Sequence, residues 1–285
     1  MANLATTDPR FAAMRAATPA RIGLPRAGAA TATACNLAFA LAHAEARDAV
    51  RAAFTPEALA AELKAQGLET IRLRSAATER RDFLLRPDLG RSLDVASAHR
   101  LASAPKGFDL AFVIADGLSA RAVHAHAAAF LNEALGLLRG WRIAPVCIVE
   151  QGRVAIGDEI GAILGATLVA VVIGERPGLS SPDSLGVYLT FDPRRGRADA
   201  ERNCLSNIRP QGMSYAEAAK RFAYLCEEAR RRRLTGTALK DESHDALLAP
   251  GGATAQPAAA SAALAQAPGA AGVSATLAPQ PQAPV

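Results

Sequence analysis

Three short segments carry the groups that could bind a ligand or react with one. Asp116-Gly117-Leu118-Ser119 offers a carboxylate and a hydroxyl, and Gly174-Glu175-Arg176-Pro177-Gly178 offers a carboxylate beside a guanidinium. Asn203-Cys204-Leu205-Ser206-Asn207-Ile208 sets a thiol among hydroxyl and amide groups. Cys204 could act as a nucleophile, but no histidine stands near it in sequence to take its proton. A packed thiol beside a pocket is the expected state. Glu175 and Arg176 could merely solvate a turn, so their position has to decide between that and a binding role.

Position favours binding. The run Thr167–Ile173 is apolar and rich in β-branched residues, too continuous for a half-exposed strand. It reads as a strand buried on both faces, and it stops at two glycines and a proline that force an irregular loop. Ligands of open α/β sheets bind just beyond the carboxyl ends of such strands.

The elements around these loops alternate. From Lys106-Gly107 onward, strands are expected at 108–114, 142–149, 154–156, 167–173 and 186–191, with helices at 120–139, 158–164 and 215–234. Asn203–Ile208 reads as a polar loop between the last strand and the final helix. Gly157, Gly161 and Gly165 share a helix face that would allow close packing on a sheet. The fold class is therefore α/β, a Rossmann-like, mostly parallel sheet with helices on both faces.

The first third has another texture. Ala32–Val50 has helical periodicity, with Leu37, Ala40, Leu41, Ala44 and Val50 near one face. Thr55 caps a second helix that has Pro56 in its first turn and ends near Gly67. A short strand at Thr70–Arg74 and a helix over Leu93–Leu101 follow. Residues 1–105 thus read as a mainly helical N-terminal region and 106–245 as the α/β domain. Residues 246–285, built from Ala, Pro, Gly, Gln and Ser without charge, read as a disordered tail.

Several function classes drop out. No G-x-G-x-x-G follows a strand, and Gly23–Gly28 has P-loop spacing but is followed by Ala29-Ala30 where Lys and Ser/Thr are required. The histidines His43, His99, His124, His126 and His244 are scattered and read as surface residues, so no metal site is expected. Cys35, Cys147, Cys204 and Cys226 form no C-x-x-C pair and read as reduced thiols. The net charge is only +5, and the one basic run, Arg230–Arg233, reads as a solvated helix end rather than a nucleic-acid patch. No apolar stretch approaches the roughly 20 residues that span a bilayer.

Taken in chain order, short motifs resemble the small (light) subunit of ethanolamine ammonia-lyase over about Asp8 to Leu234. They are Arg26-Ala27-Gly28, Leu85-Arg86-Pro87-Asp88-Leu89-Gly90-Arg91, Ile114–Ser119, Gly152-Arg153-Val154, Asp158-Glu159-Ile160-Gly161, Gly174–Leu179 and Cys204–Ile208. The resemblance implies a subunit of an adenosylcobalamin-dependent radical lyase that turns ethanolamine into acetaldehyde and ammonia. It also implies a large-subunit partner that holds ethanolamine above the corrin, while this chain covers the lower side. There the cofactor keeps its own dimethylbenzimidazole base, in line with the absence of an Asp-x-His-x-x-Gly motif here. The cofactor-binding positions it implies are Val154, Glu175 and Cys204, with no catalytic residue on this chain and no metal ligand. Asp116, Ser119 and Arg176 are further contacts to consider.

Some members of that family carry an amphipathic N-terminal extension that directs them into a bacterial microcompartment. No such helix precedes Pro9, so a cytoplasmic location is expected, with the microcompartment as the alternative. Two other readings remain open from sequence: a stand-alone α/β enzyme using Asp116 or Cys204, and a non-catalytic α/β scaffold or interaction subunit without cofactor.

Overall fold

Two strands bury every side chain, and they set the architecture. These are β4 (Leu110–Ala115) and β6 (Leu168–Gly174), hydrogen-bonded in parallel at the centre of a six-stranded sheet. The structure, a computed structural model, describes residues 9–18 and 20–243. His244 and the Ala/Pro-rich segment 246–285 lie outside the described residues.

Alternate residues of the central strands feed two cores. Leu110, Phe112 and Ile114 face one core with Leu168, Ala170 and Val172, under helices α3 (Pro56–Ala65), α6 (Ala120–Leu137) and α8 (Tyr215–Arg232). Ala111, Val113 and Ala115 face the other with Val169, Val171 and Ile173, under α5 (Val95–Ala102) and α7 (Ile156–Leu164). Period-2 strands buried on both faces must be apolar throughout, which is why these runs read so plainly. At Gly157 on α7 a Cβ would stand 2.3 Å from Val171 Cγ2, so the glycine lets the helix lie close on the sheet.

The remaining strands are β3 (Thr70–Arg74), β5 (Val146–Glu150), β7 (Leu185–Phe191) and β8 (Asn203–Ile208), and the sheet order is β3-β5-β4-β6-β7-β8. The first four in that order are parallel, and β7 and β8 extend the sheet by antiparallel pairing. The class is thus α/β with a mostly parallel sheet and helices on both faces. The N-terminal third is less separate from the sheet than its helical texture suggests, because β3 pairs with β5 along its whole length. Before it, a two-residue hairpin, β1 (Arg26–Ala27) and β2 (Ala30–Thr31), precedes α2 (Thr33–Arg51).

Three local expectations are corrected, and the direction of the α2 stripe, left open by the sequence, is decided. Asn203–Ile208 is an edge strand, not a loop. One extra residue lies between the pairs Val187↔Leu205 and Leu185↔Ile208, so the core-facing Leu205 and Ile208 are three apart and the alternation is hidden. Val154–Ile156 is not a strand: Gln151 adopts φ 56°, the chain turns, and α7 begins at Ile156. His126 is buried rather than on the surface, with Nδ1 2.8 Å from the Tyr215 hydroxyl at the α6–α8 contact. On α2 the buried residues are Ala42 and Ala49, whereas Leu37 and Leu41 are 66% and 61% exposed, so the apolar stripe points outward.

Candidate functional site

The helices that follow β4 and β5 cross opposite faces of the sheet, α6 over one core and α7 over the other. Their connecting loops therefore part at the carboxyl edge, the place where open α/β sheets bind ligands. A cavity of about 470 Å³ opens there, and its lining includes Leu118, Arg153, Val154, Glu175, Arg176 and Tyr188.

Asp116 braces the floor. It is 2% exposed; its Oδ1 accepts from Gly152 N at 3.1 Å and its Oδ2 from Arg80 Nη1 at 3.1 Å. The same Nη1 donates to Gly117 O at 2.8 Å, and Arg80 Nε and Nη2 donate to Val50 O at 3.1 and 2.9 Å. One carboxylate thus ties the loop after β4 to the loop after β5, and one arginine ties both to the end of α2. Burial pushes the Asp116 carboxyl up to about 6, against the opposing pull of Arg80. The loop after β6 is laced in as tightly. Leu118 N donates to Gly174 O at 2.9 Å, and a Cβ on Gly117 (φ 55°) would lie 2.4 Å from that oxygen. Ser119 is fully buried, caps α6 through Ala122 N and donates to Pro182 O at 3.2 Å. Asp116 and Ser119 are therefore supports beneath the cavity.

Glu175 stands on the rim. Its carboxylate accepts from Ser184 Oγ at 2.5 Å, Ser206 Oγ at 2.6 Å and Asn207 N at 3.1 Å. A carboxylate offers about four lone-pair directions, so three donors leave it room for one more. Beside it, Tyr188 on β7 pairs across the sheet with Cys204 on β8. Cys204 is exposed as a residue, and Tyr188 is its cross-strand neighbour. Desolvation pushes the thiol's pKa above its ordinary value; Tyr188 opposes this and nearby Glu175 adds to it. Such a thiol is protonated at neutral pH and makes a poor nucleophile.

The wall opposite in sign is cationic. Arg153 holds its guanidinium 4.5 Å from the centroid of the buried Phe83 ring, and Arg80 lies 4.7 Å from the same ring. Burial, with the positive charges of Arg91, Arg80 and Arg176, holds the Arg153 pKa below its ordinary value. No group of three or more His, Cys, Asp or Glu that could hold a metal occurs among the described residues.

Comparison with known proteins identifies the chain's kin. The family model described as "Ethanolamine ammonia-lyase light chain (EutC)" matches residues 8–240. The chain belongs to that family. A protein of Xanthomonas campestris pv. campestris (strain B100) called "Ethanolamine ammonia-lyase small subunit" is 55% identical over 251 residues, 85% of this chain and 92% of the relative. Proteins with the same name from Azotobacter vinelandii and Pseudomonas syringae pv. tomato are 55% and 53% identical over 86% and 85% of this chain, covering 92% and 86% of those relatives. The chain is accordingly an ethanolamine ammonia-lyase light chain by family, a subunit of a carbon–nitrogen lyase.

Of the three positions expected from the sequence resemblance to meet a cofactor, Val154 and Glu175 line the cavity. Cys204 does not line it and sits at its margin, behind Tyr188. Arg176 also lines it. Sequence reasoning missed Arg80, Phe83, Tyr188 and Ser184. The only local signal was the charge-dense run Glu79-Arg80-Arg81-Asp82 before Phe83, which reads equally well as a solvated turn.

Proposed function

We propose that this chain is the small subunit of an adenosylcobalamin-dependent ethanolamine ammonia-lyase and binds the lower side of the cofactor, at the interface with a large subunit that holds ethanolamine. The reaction would convert ethanolamine to acetaldehyde and ammonia, with the radical chemistry supplied by adenosylcobalamin when bound. The observation that carries this reading is the cavity at the switch point, where Glu175 keeps one acceptor direction open beside an apolar ledge of Val154 and Ile173.

The residues fit a corrinoid. Its peripheral amides are hydrogen-bond donors for Glu175, and its hydrocarbon edge suits Val154. A cavity of about 470 Å³ takes only an edge of so large a molecule, so a second polypeptide must cover the rest. None of the chain's groups at this edge is set up for proton transfer or nucleophilic attack. Asp116 is engaged by Arg80 and Gly152, and the Cys204 thiol has no base. This chain's part would be to bind, orient and shield.

For the large subunit, the apolar stripe of α2 offers a surface to cover, with Leu37 and Leu41 66% and 61% exposed. The far end of α2 reaches the site, since Val50 O receives Arg80. No helix among the described residues is long and apolar enough to cross a membrane.

The test is co-expression with the large subunit. The mixed complex should bind adenosylcobalamin, seen by its visible spectrum, and deaminate ethanolamine. A well-formed complex that binds no corrinoid would instead mark this chain as a scaffold.

A further inference from the structure

We infer that Arg153, with Arg91 and Arg176 beside it, receives the phosphodiester of the cofactor's nucleotide arm. This rests on the cobalamin reading above and says which part of the molecule meets which wall.

Arg80 and Arg153 lie on the Phe83 ring, and with Arg91 and Arg176 they form an island of positive charge. Arg153 and Arg176 line the cavity, and Arg91 and Arg80 lie close enough to Arg153 for their charges to act on it. Arg80 alone of the four is neutralised, by Asp116. Among the described residues no carboxylate pairs with Arg91, Arg153 or Arg176. Elsewhere the chain pairs its arginines freely, as in Arg72–Glu57, Arg86–Asp88 and Arg202–Asp158. Holding three unpaired guanidinium groups together costs free energy that an arriving anion offsets.

Arg153 is also fixed in place. Its guanidinium lies on the Phe83 ring, and Nη2 donates to Phe83 O at 2.7 Å, the side chain's one hydrogen bond among the described residues. Phe83 itself is fully buried, so the platform does not move. A held planar guanidinium with donors to spare suits phosphate better than a flexible ammonium would.

Adenosylcobalamin carries one phosphodiester, its permanent negative charge, on the arm that ends in dimethylbenzimidazole. Its remaining side arms are neutral amides, which donate to a carboxylate. The two signs lie on different loops of one cavity, Arg153 after β5 and Glu175 after β6. Together they would fix which way round the cofactor lies.

The experiment compares two corrinoids on the assembled complex. Adenosylcobalamin has the nucleotide arm; adenosylcobinamide lacks the phosphodiester and base. Arg153→Gln should weaken adenosylcobalamin binding roughly 10- to 100-fold, the range for losing a charge-assisted hydrogen bond. It should leave adenosylcobinamide binding within about twofold. Equal losses for both, or none for either, would overturn the inference. The cofactor's single phosphorus gives a second reading: its NMR resonance in the bound state should move in Arg153→Gln and in the surface variant Arg176→Gln. An unmoved resonance in every one of these variants that assembles overturns the assignment, even if cobinamide binds too weakly to compare; should Arg153→Gln fail to assemble, Arg176→Gln alone decides. A wild-type complex that binds no cobalamin would sink the broader reading, whereas a binding complex indifferent to Arg153 sinks only this one.

Discussion

Ser206 Oγ on β8 donates to Glu175 Oε1 at 2.6 Å, although Glu175 leaves the end of β6 and a whole strand, β7, lies between them. The carboxylate can lie over β7 because residue 186 there is glycine; a Cβ at that position would stand 2.8 Å from Oε1. The far end of a glutamate can move aside, so Gly186→Ala should cost little stability. It should nevertheless pull Glu175 away from Ser206 and Asn207. Corrinoid affinity of the complex is expected to fall in Gly186→Ala and in Glu175→Ala alike, by roughly tenfold or more for a lost charged acceptor. Equilibrium titration followed by absorbance measures it, and normal affinity in Glu175→Ala removes that residue from the site.

Asp116 gives a pH signature. Its carboxyl is raised from an ordinary 3.8 to about 6, so the folded state holds the proton more tightly than the unfolded chain. Its contribution to stability is then fully present below pH 3.8 and is lost as pH rises towards 6. The stability of the wild type relative to Asp116→Asn should therefore fall across that window, by at most about 3 kcal/mol. Urea unfolding at pH 4 and pH 7 reads the difference; a flat difference, or one that grows with pH, contradicts the assignment.

A buried ion pair clips the other side of the sheet. Arg202, on the segment entering β8, donates to Asp158 at the start of α7 through two bonds of 2.6 and 2.7 Å, with both side chains at most 2% exposed. Arg202→Met leaves a buried carboxylate without its partner and should destabilise by about 3–5 kcal/mol. The double variant Arg202→Met/Asp158→Leu should recover much of that loss. Thermal melts of the set decide, and an additive double variant would show that the two residues act separately.

The outward stripe of α2 separates folding from assembly. Leu37 is exposed, so Leu37→Asp should change the stability of this chain by no more than about 0.5 kcal/mol. Combined with Leu41→Asp, it is expected to weaken association with the large subunit strongly. Analytical ultracentrifugation of the mixture measures this, and an unchanged complex would place the interface elsewhere.

The amino-acid order by itself determined the central sheet and where its carboxyl edge lies. Strands buried on both faces, such as Leu110–Ala115 and Leu168–Gly174, must be apolar without a break, and the glycines after them mark the turns. Family kinship was legible for a similar reason, since Gly174-Glu175-Arg176-Pro177-Gly178 and its companions are fixed by tight loops. Only the tertiary structure decided what those loops enclose. The strand Asn203–Ile208 was hidden because a bulge breaks its alternation and its outward residues are polar. Arg80 and Phe83 joined the site from a distant helix, and His126 went inside, because long-range contacts between elements far apart in sequence leave no local periodicity to read.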